Sequence, residues 1–532
     1  MKKITITFCL LSYFMFQNVQ TFSQPTITWQ RTLGGTSIDE VGDPNNFFDS
    51  PNHCLALTND GGLIMVGNTA SSNGDVTFNH GSRDYWVVKF NSSYNIQWQK
   101  SFGGSNDDRA TSVIQTSDGG YAVAGFSNSS NGDLNSNNGN YDYWIVKLDA
   151  AGNISWQKNF GGTGIERAFS IIEVSGGSFV VAGVTSSNNT GDVSGSYGGD
   201  DFWVIKISSS GALIWQKPLG GNAQEWANSV IETSDKGLIV AGFTSSTSGL
   251  ITNNHGMSDC WVVKLDSAGN FVWEKTYGGT SNDYGTCIIN TSDGGFVLTA
   301  FTYSSNGDVI SNHGSSDFWV VKLSNTGNIQ WQKTFGGTNS DEAYEIVQTS
   351  DGGYAISGAV SSNDGDVTGY HGNWDYWIVK TNSLGTMEWQ KCMGGSTIDW
   401  SVSLLETTDH SLLAAGSVAS SNGDIAGNHG LTDIWIVKLD AAISVNEING
   451  LHSSVFEIYP NPFINSFNIV SRDNEQILKI VIRDITGQII YVSEESTAKI
   501  ELNNKLASGI YLTDVHYKTG VVHLRSVKVN SF

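Results

Sequence analysis

The sequence of 532 residues predicts an all-β protein, a seven-bladed β-propeller followed by a small C-terminal β-sandwich. One tryptophan recurs every 58 or 59 residues, and repetition at such a period indicates a repeat architecture. Each copy holds four short runs of Val, Ile, Trp and Tyr between Gly, Asn, Asp and Ser clusters, a pattern typical of strands. The recurring tryptophans are Trp86, Trp144, Trp203, Trp261, Trp319, Trp377 and Trp435.

The N-terminus predicts export. Two lysines precede an apolar run from Ile4 to Phe16, and a small-residue site follows near Ser23. This layout is typical of a signal peptide over residues 1–23, and the run is too short to span a membrane. We find no transmembrane segment after it. The remaining cysteines have no metal-ligand spacing, so we interpret them as buried thiols.

Residues 24–442 contain the repeats. In one copy we predict strands at Arg167–Val174, Ser178–Val184, Asp201–Ile207 and Ala212–Lys217. The third strand is apolar on both faces and must be covered on both faces, as in blades packed around an axis. Asp-Gly-Gly recurs between the first two strands, where a hairpin turn needs glycine at positive φ.

The chain ends predict a closed ring. Ile27–Leu33 supplies only a fourth strand, and the last copy stops after its third strand, Ile434–Asp440. Pairing the two removes the edges that an open solenoid would expose. The loops between strands two and three of a blade (two–three loops) and those from strand four to strand one of the next blade (four–one loops) then share one rim. We call this rim the loop face. Blade one adds residues there from Val41 to Asn52, and enlarged loops often carry function.

An acidic residue stands four positions after each Gly-Gly pair and provides the first candidate binding group. We expect a ring of these carboxylates on the loop face, where they could bind Ca²⁺, a basic peptide or sugar hydroxyls. The alternative is structural, each carboxylate accepting N–H groups of its own turn, and near-identical copies favour it. The residues are Asp39, Asp108, Glu166, Glu225, Asp283, Asp341 and Asp399.

The residue after each of these acids varies and provides the second candidate. Trp226, Tyr284 and Trp400 could stack on a sugar ring, or they could cap neighbouring blades. The two–three loops also carry His-Gly four residues before an aspartate, as in His80 and Asp84. We interpret these histidines as ties between loop and strand, because they lie in separate blades rather than at zinc-ligand spacing.

Charge and motifs exclude several functions. The net charge is −23, nearly all of it on the repeats, which argues against a nucleic-acid partner. No catalytic, nucleotide-binding or metalloprotease motif is present. We therefore predict no catalytic residue, no metal site and no cofactor, with Ca²⁺ as a weak alternative.

Two stretches resemble known families. Gly-Gly-x-x-x-acid-x-Ala, Asp-Gly-Gly-Tyr-x-Val-Ala-Gly and Asp-x-Trp-Val-Val-Lys-Leu-Asp resemble the SBBP-type β-propeller repeats of exported bacterial proteins, over about residues 26–441. After a linker at 443–450, residues 451–532 resemble the C-terminal sorting domain of Bacteroidota proteins that use type IX secretion. The matching residues are Tyr459, Pro460, Asn461, Pro462, Gly509, Tyr511 and Lys528.

The sorting-domain resemblance implies the type IX machinery as a partner and a secreted location, with release or attachment to the outer cell surface as the two outcomes. We expect a binding or display module with a glycan or protein ligand on the loop face. The alternatives are a glycan-acting hydrolase or lyase that uses loop-face carboxylates, and a passive structural surface protein. A propeller alone does not distinguish them.

Overall fold

The structure of the protein is a computed structural model. It describes residues 24–41, 53–440, 456–459, 466–471, 476–484, 489–493, 499–501, 509–518 and 520–528. The predicted signal peptide, the linker at 443–450, most of the blade-one insertion and Pro460–Pro462 lie outside these residues. The chain divides into two compact units, one over Thr21–Ser444 and one that contains Val445–Phe532.

The first unit consists of seven sheets, each with its strands in antiparallel order one to four. The first strand of blade one consists of Asp39–Glu40 and Leu55–Leu57, and its other strands are Leu63–Thr69, Asp84–Phe90 and Ile96–Phe102. The strands of blade two are Asp108–Gln115, Tyr121–Ser127, Asp142–Leu148 and Ile154–Phe160. Those of blades three and four are Glu166–Val174, Ser178–Thr185, Asp201–Ile207, Leu213–Leu219; and Glu225–Glu232, Leu238–Thr244, Asp259–Leu265, Phe271–Tyr277.

The remaining three blades repeat this order. Blades five and six are Asp283–Asn290, Phe296–Thr302, Asp317–Leu323, Ile329–Phe335; and Asp341–Gln348, Tyr354–Val360, Asp375–Thr381, Met387–Met393. Blade seven is Asp399–Glu406, Leu412–Val418, Asp433–Leu439 and, as its fourth strand, Ile27–Leu33. The predicted all-β propeller is therefore confirmed.

The ring closes through the two ends of the repeat region. Ile27–Leu33 pairs antiparallel with Asp433–Leu439, from Ile27 opposite Leu439 to Leu33 opposite Ile434. The first strands of consecutive blades also contact one another, and that of blade seven contacts Leu55–Leu57 of blade one. These first strands therefore surround the axis of a closed ring.

The two repeated tryptophans hold blades together. Trp86 and its six equivalents are fully buried, and each indole N–H donates to the Gln or Glu thirteen residues on, or to Gln30 for Trp435. The fourth-strand tryptophan packs beneath the hairpin of the next blade: a Cβ added to Gly152 would lie 2.9 Å from the ring of Trp98. Tryptophans of both strands therefore pack at the contacts between blades, as Trp144 of blade two does against Tyr85 of blade one with ring centroids 4.4 Å apart.

The second unit is a two-sheet β-sandwich. One sheet contains Phe456–Tyr459, Ser466–Ser471 and Lys499–Glu501; the other contains Ile477–Asp484, Ile489–Ser493, Gly509–Tyr517 and Gly520–Lys528. Phe467, Ile480 and Val515 lie in its buried core. No helix in the described part of the chain has the length and apolarity to cross a bilayer.

Candidate functional site

The seven predicted carboxylates lie at the start of the first strands and are fully buried. Each accepts the N–H of the second glycine of its own Gly-Gly pair at 2.7–2.8 Å. Asp108 also accepts the hydroxyl groups of Ser127 and Ser129. The structural interpretation is therefore confirmed. Because these carboxylates have no exposed surface, their role as direct ligand contacts remains only a prediction.

A second buried carboxylate faces each of these acids across the blade junction. A Cβ on Gly103 would lie 2.5 Å from Oδ1 of Asp84 and 2.7 Å from Oδ2 of Asp108, so only glycine fits between them. Oδ1 of the third-strand aspartate is buried without a hydrogen-bond partner in all seven blades. These aspartates are Asp84, Asp142, Asp201, Asp259, Asp317, Asp375 and Asp433.

Burial controls the ionisation of these pairs. It raises the pKa of Asp108 to about 6, against the hydrogen bonds that the carboxylate accepts, and the charge of Asp84 adds to the rise. Burial likewise raises the pKa of Asp142 to about 6, with Glu166 adding to the rise. Each junction therefore holds two carboxyl groups that compete for ionisation.

The loop histidines tie loops to strands, as predicted. Nδ1 of His80 lies 2.7 Å from Oδ2 of Asp84, and the His80 backbone N–H donates to the same oxygen. His255, His313, His371 and His429 repeat this contact at 2.7–3.1 Å. The five imidazoles therefore stay in separate blades.

The predicted aromatic residues pack between blades. Trp226 stacks between Phe169 and Phe243, with ring centroids 5.7 and 6.2 Å away. Tyr284 contacts Phe243 edge-to-face at 4.9 Å, and Trp400 contacts Tyr344 at 5.7 Å. Trp400 is 1% exposed and so offers little surface to a sugar ring, and ligand stacking by it stays a prediction. Trp226 and Tyr284 are half-buried, and ligand stacking by them remains a prediction.

The two–three loops themselves carry exposed apolar side chains, which the repeat pattern did not indicate. Phe78, Met257, Ile310 and Leu431 are 57–81% exposed, each on the two–three loop of a different blade. The four–one loops lie on the same rim, because the N–H of Ser105 donates to Oδ1 of Asn131 in the neighbouring two–three loop. These four side chains are therefore accessible to solvent without any opening of the turns.

A further cluster lies near the axis and was also missed. Sγ of Cys287 lies 3.1 Å from Oε1 of Glu345, and Nδ1 of His53 lies 3.0 Å from Oε2 of the same carboxylate. Cys287 and Glu345 are buried and His53 is partly exposed. The only signal in the sequence was a departure from the repeat: the positions of Cys287 and Glu345 carry serine in four other blades.

Burial and mutual contact shift the ionisation of this cluster. Burial raises the pKa of Cys287, and the nearby Glu345 carboxylate raises it further. Burial also raises the pKa of Glu345, while His53 opposes the rise. Burial acts to lower the pKa of His53, but the charge and hydrogen bond of Glu345 raise it overall. A bare thiolate at Cys287 is therefore unfavourable.

The predicted sorting residues fall in the second unit. Tyr459 ends a strand, Gly509 begins one, Lys528 ends the last, and Tyr511 is buried in the core. The family described as the secretion system C-terminal sorting domain matches residues 457–528. This match confirms the resemblance to type IX sorting domains. It implies export towards the cell surface or the extracellular space, with the secretion system as a partner.

Other known proteins are similar only over part of their length or at low identity. Regulatory protein FlaEY of Caulobacter vibrioides is 25% identical over 184 residues, which are 32% of this chain and 19% of that protein. The chain thus spans about a fifth of that relative. The assignment of the repeats to the SBBP type remains a resemblance.

Several solved structures align with low scores. PorZ of Porphyromonas gingivalis, described as an essential surface component of the type IX secretion system, has a TM-score of 0.38 at 14% identity, covering 91% of this chain and 61% of PorZ. The WD40 domain of Neurospora crassa Pan2 has a TM-score of 0.41 at 11% identity (76% and 95% covered). An ulvan lyase has 0.44 at 11% (76% and 97%). Similarities of this size do not extend to function.

Proposed function

We propose that the protein is an exported propeller, released or attached at the cell surface, that binds a glycan or protein ligand through its loop face. The exposed apolar side chains of the two–three loops carry this proposal. Apolar surface rimmed by polar residues is typical of interaction sites, and these four side chains share one polar rim. The buried Asp and His contacts beneath hold each loop in place, which lowers the entropy lost on binding.

The hydrolase or lyase alternative has less support. It needs two carboxyl groups with unlike environments in one accessible pocket. The seven first-strand acids are instead buried, and all accept the same glycine N–H in their own turns. We therefore place recognition, rather than turnover, on this face.

The repeat provides variants that test binding without damaging the fold. Phe78→Ser, Met257→Ser, Ile310→Thr and Leu431→Ser introduce the residues that other blades carry at the same loop positions. The control variant carries Leu384→Ala and Val272→Gln, which also take residues from other blades but change exposed side chains away from the two–three loops.

We would probe glycan and protein arrays with the full chain and both variants. We expect a ligand for the unmodified chain, at least tenfold weaker binding in the loop variant, full binding in the control, and equal melting temperatures. No ligand on either array would contradict the proposal and leave the passive structural role. Equal loss in both variants would move the binding surface away from the loop face.

A further inference from the structure

One ring of positions around the axis breaks the symmetry of the repeat. In blades two to seven the fifth residue of the first strand falls in this ring, at Ser112, Ser170, Ser229, Cys287, Glu345 and Ser403. In blade one the equivalent residue is Cys54, which directly precedes the strand Leu55–Leu57. In three blades the small side chain connects neighbouring blades, because Oγ of Ser112, Ser170 or Ser229 accepts an N–H of the next blade at 3.2–3.3 Å. Glu345 therefore places a carboxylate where a hydroxyl suffices for the fold.

Three residues that depart from the repeat lie close together in the folded ring. Cys287 belongs to blade five, Glu345 to blade six and His53 to blade one, and their donor atoms all lie within 4.8 Å of one another. His53 replaces the residue at the β-bulge of the first strand, which Thr111 occupies in blade two. Blade seven lies between blades six and one, and its Ser403 is small at the ring position.

These three side chains offer one sulfur, one nitrogen and one oxygen donor. Thiolate, imidazole and carboxylate are the ligands that zinc takes in proteins, at about 2.0–2.3 Å. Donors around a tetrahedral ion at those lengths lie about 3.3–3.6 Å apart. The two contacts with Glu345, 3.1 and 3.0 Å, are close to that range, and the three donor atoms all lie within 4.8 Å of one another, so side-chain shifts of about 1 Å would admit the ion.

We propose that His53, Cys287 and Glu345 form a Zn²⁺ site near the axis of the propeller. The three protein ligands leave one tetrahedral position for water or for a donor atom of a bound molecule. Solvent reaches the ion from the side of His53, which is partly exposed. Zinc replaces the thiol proton on binding, and the cation compensates the charge of the buried carboxylate. Binding would also tie blades five, six and one together.

The repeat again supplies a matched test. Cys287→Ser introduces the residue that four other blades carry in this ring, so the fold should tolerate it. Cys392→Thr is the control: it changes another buried cysteine to the threonine found at the same strand position in blades four and five. The full, untagged chain would be stripped with a chelator and titrated with Zn²⁺ against a chromophoric competitor, with Co²⁺ substitution to detect sulfur ligation.

We expect one Zn²⁺ per chain, binding at least 100-fold weaker in Cys287→Ser and unchanged in Cys392→Thr. The Co²⁺ form should show a thiolate charge-transfer band that Cys287→Ser abolishes. Equal melting temperatures of the metal-free proteins would show that both variants fold. Absence of Zn²⁺ binding, or equal affinity in Cys287→Ser and the unmodified chain, would overturn the proposal and leave a hydrogen-bonded cluster.

Discussion

The residue that follows the aspartate in the turn between strands one and two decides whether that turn is strained. The first glycine of Asp-Gly-Gly has φ of +78° to +84° at Gly61, Gly119, Gly294 and Gly352. Lys236 and His410 occupy this position in blades four and seven, with φ of +65° and +64°. A side chain in the left-handed region costs about 1–2 kcal/mol, so these two turns are strained.

Lys236→Gly and His410→Gly should each raise the free energy of unfolding by about 0.5–1 kcal/mol, because glycine removes the strain at some cost in chain entropy. Denaturant unfolding of the single variants would measure this. Gly119→Lys is the reciprocal control: an added Cβ there meets no atom within 4 Å, so only backbone strain should lower stability. Unchanged stability in all three variants would contradict the argument.

At the level of the strand and its hairpin, a buried lysine joins the third strand to the first turn. Nζ of Lys147 donates to Oδ1 of Asp118 and to the carbonyl of Leu148. Lys89 is the equivalent residue of blade one, and its aliphatic stem alone could cover an edge of the sheet. Its Nζ, however, lies 2.9 Å from the carboxylate of Asp60. The lysine is therefore a tie between strand and turn. Blade three has Gly176-Gly177 in place of the aspartate turn opposite Lys206.

Lys147→Met should lower the free energy of unfolding by about 1–2 kcal/mol, because two hydrogen bonds of a buried cation are lost while Asp118 stays hydrated. Lys206→Met should cost less than about 0.5 kcal/mol, since its turn offers no carboxylate. Urea unfolding of both variants would compare them. Equal costs would show that the aliphatic stem, rather than the ion pair, stabilises the blade.

Across the whole propeller, carboxyl groups set how stability depends on pH. Burial raises the pKa of Asp108, Asp142, Asp201, Asp259, Asp341 and Asp375 to about 6. Their stabilisation is complete below their ordinary pKa of 3.8 and is lost as the pH rises through about 6. Hydrogen bonds to Thr and Lys lower the pKa of Asp293 to about 2, so its contribution is lost as the pH falls from 3.8 through about 2.

The melting temperature should therefore be highest near about pH 4 to 5 and fall as the pH rises to about 7. Asp142→Asn should stabilise the protein at about pH 7 by about 1–3 kcal/mol, because it removes one charge from a buried like-charge pair. Its gain should be smaller at about pH 4.5, where Asp142 is already protonated. Calorimetry at the two pH values would test this, and a loss of stability at neutral pH would contradict it.

Local and periodic signals in the chain were sufficient to predict the fold and the ring closure, whereas the sorting tail was predicted from its resemblance to a known family. Apolar residues on both faces of strands such as Tyr143–Val146 require blades on both sides, and the split last blade requires Ile27–Leu33 to complete it. The hydrophobic pattern along the chain is the main signal from which the strands are predicted. The repeat also favoured a structural role for the first-strand acids, which accept N–H groups of their own turns, because seven near-identical copies imply seven similar environments.

Which side chains are accessible, and which of them meet, became clear only in the folded molecule. Trp400 and Trp226 occupy equivalent positions, yet one is buried and the other half-buried, because exposure depends on neighbours from other blades. Cys287 and Glu345 lie one repeat period apart and His53 lies more than 200 residues before them, and the period alone does not show that the three side chains meet. They meet because closure of the ring brings the first strands of separate blades around one axis, an effect that arises only from long-range packing.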